Sequence, residues 1–153
     1  MKAYIGIDPG QKGGLAVLTE DGLLLEHIPM PETRRGISDF LRAAGMTYKN
    51  ITVVVELVHS MPKQGVASTF KFGKGCGIIL GICTALDFVI IEPTPQAWKK
   101  AILAGTDKGK GASIIVCENL FPKATLVQPR CRNPHDGVAE AILLAEYGRR
   151  KNL

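Results

Sequence analysis

The stretch Met1–Gly10 reads MKAYIGIDPG. Tyr4 to Ile7 are mostly β-branched or aromatic, and the turn-forming pair Pro9-Gly10 follows, so the pattern predicts a strand that stops abruptly. Side chains alternate along a strand, which puts Ile5 and Ile7 on one face and Gly6 and Asp8 on the other. An apolar strand of this kind belongs in the middle of a sheet, where a carboxylate at its end is costly to bury unpaired. Asp8 therefore calls for a cation, a set of hydrogen bonds or water, and the small Gly6 beside it leaves room for something to approach. The competing reading is that Asp8 is only a turn residue, since Asp-Pro-Gly is ordinary turn chemistry.

Working outward, Leu15–Thr19 and Leu23–Ile28 read as two strands joined through Glu20-Asp21-Gly22, with Gly22 supplying the positive φ of a hairpin. Pro29 and Pro31 end this antiparallel meander. Gly36–Ala44 carries Ile37, Phe40, Leu41 and Ala44 at helical spacing. Ile51–Val55 is an unbroken β-branched run ending in Glu56, as expected of a strand buried on both faces. A helix between this strand and the first makes a parallel crossover the natural pairing. His59–Gly77 reads as a polar, glycine-rich passage leading into a helix over Ile78–Leu86. A strand over Phe88–Ile91 follows, then a helix over Gln96–Leu103, a basic glycine-rich loop over Gly105–Gly111 preceding a helix through Leu120, and a last helix from about His135 to Arg149. The predicted architecture is α/β: a five-stranded mixed sheet flanked by helices.

At 153 residues the chain reads as a single domain over 1–153 with enough mass for a real core. Hydrophobic residues at 46% and charged residues at 22% exclude wholesale disorder. A net charge of +5 and a pI near 9.1 suit a polyanionic partner. We find no apolar run expected to span a bilayer, and Asp8 falls where a secretory signal would need its apolar segment, so no membrane association is expected. Cys76, Cys83, Cys117 and Cys131 lack zinc-ligand spacing and read as free thiols, which suits a cytoplasmic protein.

The chemistry concentrates in acids. If the strands ending in Asp8 and Glu56 are parallel neighbours, both carboxylates lie on one sheet edge, the usual ligand edge of open α/β sheets. The last helix adds Asp136 and Glu140, four residues apart and so on one face. Asp136 alone could be a first-turn acid favoured by the helix dipole, after an N-cap at Asn133 and a first helical position at Pro134. However, Val138, Ala139, Ala141, Ile142, Leu143, Leu144 and Ala145 make this helix apolar nearly all round, and two like charges on a buried helix ask for a cation. Four carboxylates with no Cys/His set suit Mg²⁺, with Mn²⁺ as an alternative. Two such ions per site, about 4 Å apart, can activate water and stabilise the leaving oxygen of a phosphodiester. Basic residues collect around the acids: Lys63, Lys71 and Lys74; Lys99, Lys100, Lys108 and Lys110; Arg130 and Arg132. His135 stands equally as a phosphate-facing residue, a metal ligand or a support behind the ligands. For individual lysines, a solvated surface is the simpler account.

Together, Ile5-Gly6-Ile7-Asp8-Pro9-Gly10, the strand ending in Glu56, and His135-Asp136-Gly137-Val138-Ala139-Glu140-Ala141 resemble the RuvC-type Holliday junction resolvases. The segments MPKQGVASTFKFGKGCG and PTPQAWKK are similar to a phage-type branch of that family. The resemblance covers nearly the whole chain. It implies an RNase H-like fold, a homodimer, and Mg²⁺-dependent nicking of two opposed strands of a four-way DNA junction, leaving 5′-phosphates and 3′-hydroxyls. Asp8, Glu56 and Asp136 match the family's acidic metal ligands. Glu140 takes the fourth acidic position one residue later than the commoner pattern, in which two aspartates stand three apart. Lys108 resembles a family lysine near the scissile phosphate. His59, Ser60 and Met61, together with Phe70 and Phe72, fall where relatives contact the junction. For the two phenylalanines, core packing and base stacking stand level.

Three other readings compete. An actin-like or sugar-kinase ATPase also opens with a strand ending in Asp and a glycine turn, but needs two lobes and more chain. A relative of the same fold could act on RNA or on other branched DNA. A non-catalytic junction-binding protein would be expected to lose acidic charge at its DNA face, against the presence of four acids.

Overall fold

The computed structural model describes residues 1–60, 63, 65–106, 109 and 111–153. The opening strand, β1 (Lys2–Asp8), is the middle of a five-stranded sheet completed by β2 (Gly14–Thr19), β3 (Leu24–Pro29), β4 (Asn50–Val55) and β5 (Val89–Ile91), in the order β3-β2-β1-β4-β5. β1 pairs antiparallel with β2, opposing Ile7 to Leu15, and parallel with β4, opposing Ile7 to Val55. β5 adds in parallel to β4. The meander and the parallel crossover are therefore as the sequence predicts. At the β2–β3 turn Gly22 takes φ +87°, and the Thr19 hydroxyl bonds the Asp21 carboxylate.

The five helices are α1 (Arg34–Thr47), α2 (Val66–Ala85), α3 (Pro95–Ile102), α4 (Ala112–Leu120) and α5 (Asp136–Arg150). The two faces of the sheet carry separate cores, as strand alternation dictates. Ile5, Ile7, Leu15, Val17, Val53 and Val55 pack with Ile37, Leu41 and Ala44 of α1 and Ile79 and Cys83 of α2. On the other face Tyr4, Ala16, Leu18 and Val54 meet α5, with Trp98 of α3 and Val116 and Cys117 of α4 beyond it. The helix that reads as apolar on every side is the core helix: every residue from Gly137 to Glu146 except Glu140 is buried.

Gly6 accounts for how close α5 comes. A Cβ at Gly6 would stand 1.9 Å from the Ala141 carbonyl oxygen and 2.5 Å from the Ala145 nitrogen. The space beside Asp8 is thus filled by a helix backbone and does not wait for a ligand.

Three expectations need correction. The glycine-rich passage is not a loop throughout: α2 begins at Val66, so residues 66–77 are helical. Glycine costs about 1 kcal/mol relative to alanine in a helix, and a propensity reading stops there. The apolar turns from Ile78 onward, anchored by buried Ile79 and Cys83, carry the helix back through them. Second, α2 is long and apolar enough, by length and composition, to cross a membrane. It also carries Lys71 and Lys74, and a run interrupted by two lysines is easily missed by eye. Third, the N-cap of α5 is His135, not Asn133. Its ring accepts the Val138 N–H at 3.2 Å, and Asp136 is the first helical residue.

Near the end of α5, Glu146 is only 3% exposed and is clamped by Arg149 at 2.7 and 2.9 Å and by Arg150 at 2.6 Å. Burial alone would raise its pKa, but the two guanidiniums outweigh burial and hold it below the usual value. A depressed carboxylate stabilises the fold above its unfolded pKa and loses that contribution as pH falls through its folded one. Glu146→Gln should therefore destabilise the protein by about 1–3 kcal/mol at pH 7 and by less near pH 3, measured by denaturant melts at both pH values. Equal losses at the two pH values would contradict the ion-pair account.

Candidate active site

Ladder register and alternation bring the first two acids together. Glu56 continues β4 by donating its N–H to the Ile7 carbonyl at 3.3 Å, which sets it beside Asp8 at the carboxyl edge of the sheet. Gly6 opposes Val54, so Asp8 and Glu56, each two residues on, share the face covered by α5. There Glu140 projects from the second turn of α5, half-buried, while Asp136 on the first turn is exposed.

Two short helices brace these acids. Thr94 caps α3, its hydroxyl accepting the Ala97 N–H at 3.2 Å, with Pro95 at the first helical position. Trp98 of this helix is fully buried and donates its indole N–H to Glu56 Oε2 at 2.7 Å. Lys99 Nζ lies 3.1 Å from Glu140 Oε1 and 5.2 Å from the Trp98 ring centroid. From α4, the Ser113 hydroxyl donates to Glu140 Oε1 at 3.2 Å.

The electrostatics follow. Burial, then repulsion by Glu140 and Glu56 and more weakly by Asp136, push Asp8 up to about 8 against the partial relief of Lys99. Burial and Glu140 raise Glu56 as well, opposed by the Trp98 hydrogen bond and by Lys99. Such mutual repulsion is what a bound cation relieves, and the all-oxygen donor set suits a hard divalent ion. Among the described residues, no three His, Cys, Asp or Glu side chains close around a single point. Lys99 supplies positive charge against Glu140.

A group whose folded pKa is raised gives stability that is full below its unfolded pKa and lost as pH rises through the folded one. In EDTA the protein should therefore lose stability between pH 4 and about 8 on account of Asp8. Asp8→Asn, which removes that charge, should melt at least about 5 °C above the parent at pH 9, with the gap closing toward pH 4. A parent and variant that melt together across this range would contradict a half-buried, unneutralised Asp8.

The remaining expected site residues distribute as follows. His59, Lys63, Lys71, Lys74, Lys100, Arg130 and Arg132 are exposed. Phe70 is 73% exposed, which removes core packing as its role. Phe72 is half-buried and lines a cleft that opens from Asp8 between the β1–β2 turn, the start of α1 and the first half of α2. Lys71 and Lys74 line the same cleft, together with Lys12 and Arg34, two basic residues the sequence reading did not single out. Their charge was visible, but Lys12 reaches the cleft from the β1–β2 turn and Arg34 from the start of α1, a placement set by tertiary packing. Lys99 lies among the acids instead of on an outer basic surface. Met61, Lys108 and Lys110 lie outside the described residues.

The sheet order, its mixed directions and the acids at its carboxyl edge define an RNase H-like α/β protein. No protein-family model matches the chain. It is 31% identical over 117 residues to the crossover junction endodeoxyribonuclease RuvC of Nitratidesulfovibrio vulgaris strain DP4, covering 69% of this chain and 69% of that one, and equally to its counterpart in strain Hildenborough. The fold matches Thermus thermophilus RuvC with TM-score 0.65 at 18% identity, over 98% of this chain and 96% of that one. It matches T. thermophilus RuvC in complex with a Holliday junction substrate with TM-score 0.66 at 18% identity, over 99% and 96%. Fowlpox virus resolvase in complex with its substrate Holliday junction DNA gives TM-score 0.53 at 17% identity, over 97% and 99%. The chain belongs to the RuvC family of crossover junction endodeoxyribonucleases.

Proposed function

We propose that this protein is a structure-selective endonuclease that resolves four-way DNA junctions by paired symmetric nicks, in DNA recombination and repair in the cytoplasm of a bacterium or phage-infected cell. The observation that carries the reading is the placement of Asp8, Glu56 and Glu140 on one sheet edge, near enough that the other two raise the pKa of Asp8, with Asp136 at the rim, beside a cleft bearing Lys12, Arg34, Lys71 and Lys74. Negative charge at the centre with basic charge around it suits a site that holds cations and receives a polyanion. The four carboxylates are the residues that would hold Mg²⁺ or Mn²⁺, two ions per site. When bound, such ions supply Lewis acidity toward the phosphodiester and activation of the attacking water.

The chain's own residues do the rest. Lys99 steadies Glu140, Trp98 steadies Glu56, and the basic cleft residues position phosphates without reading sequence. His135 uses Nδ1 to cap α5, which leaves Nε2 as the nitrogen able to face DNA. Lys108 is assigned the family's role near the scissile phosphate. The exposed residues His59, Lys63, Phe70, Lys100, Arg130 and Arg132 form the wider DNA surface, and Met61 and Lys110 are assigned DNA contact from the sequence alone.

A homodimer fits this reading, because cutting two opposed strands takes two sites related by symmetry. The uncovered face of α2 supports it. Val66 is 88% exposed, and a Cβ added at Gly73, Gly77 or Gly81, spaced four apart, would meet nothing within 4 Å. A face so small and apolar allows close helix–helix approach by a second copy. Sedimentation of the protein with a synthetic junction in EDTA should give two chains per junction, displaced far more weakly by linear duplex. One chain per junction, or equal competition by duplex, would contradict the proposal.

A further inference from the structure

The only tryptophan in the chain is buried without remainder, yet its one polar atom is spent on a carboxylate of the site. We infer that Trp98 is a positioning residue for metal binding: its indole N–H fixes Oε2 of Glu56 and so aims the other carboxylate oxygen at the cation. The inference rests on the reading of the four acids as a metal site. A glutamate has three rotatable bonds, and a ligand that must be ordered on binding binds more weakly than one already held. The indole cannot swing away, because its ring is fully buried in the core that α5 shares with the sheet and α4. It sits on a short helix held at its start by Thr94 and Pro95. The next residue on that helix, Lys99, holds Glu140. One rigid turn of α3 therefore fixes two acids that belong to different elements. A neutral donor suits the purpose, since it restrains the carboxylate without neutralising it, where a lysine or arginine at the same place would compete with the metal.

Replacing Trp98 by 3-benzothienylalanine, in which sulfur takes the place of the N–H, keeps the ring's shape and removes only the donor. The Mn²⁺ dissociation constant, read by electron paramagnetic resonance without DNA, should rise about tenfold. The Mg²⁺ concentration for half-maximal junction cleavage should rise in parallel, with excess Mg²⁺ restoring most of the rate. A second measurement needs no change at position 98. The single indole N–H resonance should shift when Mg²⁺ is added, and in Glu56→Ala it should move upfield and stop responding to Mg²⁺. Unchanged Mn²⁺ affinity in the benzothienyl protein, or an indole resonance indifferent to both Mg²⁺ and Glu56→Ala, overturns the inference while the metal site stands. A parent protein that binds no Mn²⁺ overturns the metal reading and this inference with it.

Discussion

Asp8→Asn should lower cleavage of a four-way junction by at least about 10³-fold, equivalent to about 4 kcal/mol of barrier, while leaving junction binding intact. Asp8 is the acid on which the others act: Glu140, Glu56 and Asp136 all raise its pKa, to about 8 in the absence of a counter-ion. Asparagine keeps the size and one oxygen but removes the charge that attracts a divalent cation. Because the change also removes negative charge facing a phosphate backbone, affinity for the junction in EDTA should hold or rise. Cleavage rates with saturating Mg²⁺, beside gel-shift titrations in EDTA, decide this. A variant that cuts at the parent's rate would show that Asp8 has no part in the chemistry, and one that neither binds nor folds would show that its role is structural.

The second large effect belongs to packing. Gly6→Ala places a methyl group 1.9 Å from the Ala141 carbonyl oxygen and against the Ala145 nitrogen, both helix backbone with no rotamer to yield. Relief requires α5 to move off β1, and that helix supplies the largest share of one core and two of the site's acids. A loss above about 3 kcal/mol is expected, seen as a fall of at least about 10 °C in Tm, with cleavage falling alongside as Glu140 shifts from Asp8. A variant melting within 2–3 °C of the parent would contradict the close approach described here.

Gly6 also shows where a sequence reading runs out. That the first strand is central, that it ends in an acid at the sheet edge, and that Glu56 stands beside it were all legible, because alternation and β-branched runs are local signals and parallel pairing follows from one crossover. What lies across from a strand is a long-range fact, and so Gly6 read only as room for something to approach, without showing that the something is a helix. The same limit hid the bracing residues. Trp98 was conspicuous as the only tryptophan, but its partner Glu56 is 42 residues away. Lys99 looked like one more surface lysine until α3 placed it at Glu140. For α2 the failure was of another kind: its glycines carry true local information, and tertiary burial of Ile79 and Cys83 overrode it. The first turn of α5 likewise offered Asn133 as a plausible cap. The isolated bridge between Val127 and Pro134 instead holds the chain extended to that point, so the helix begins at Asp136.

The most direct test of the whole account is incubation of the protein with a synthetic immobile four-way junction and, separately, with a linear duplex of matching sequence, each in Mg²⁺ and in EDTA, with products mapped on all strands. The account predicts paired nicks on two opposed strands of the junction, none in the duplex, and no cutting in EDTA. Cutting of both substrates alike, or junction cleavage that persists in EDTA, would contradict it.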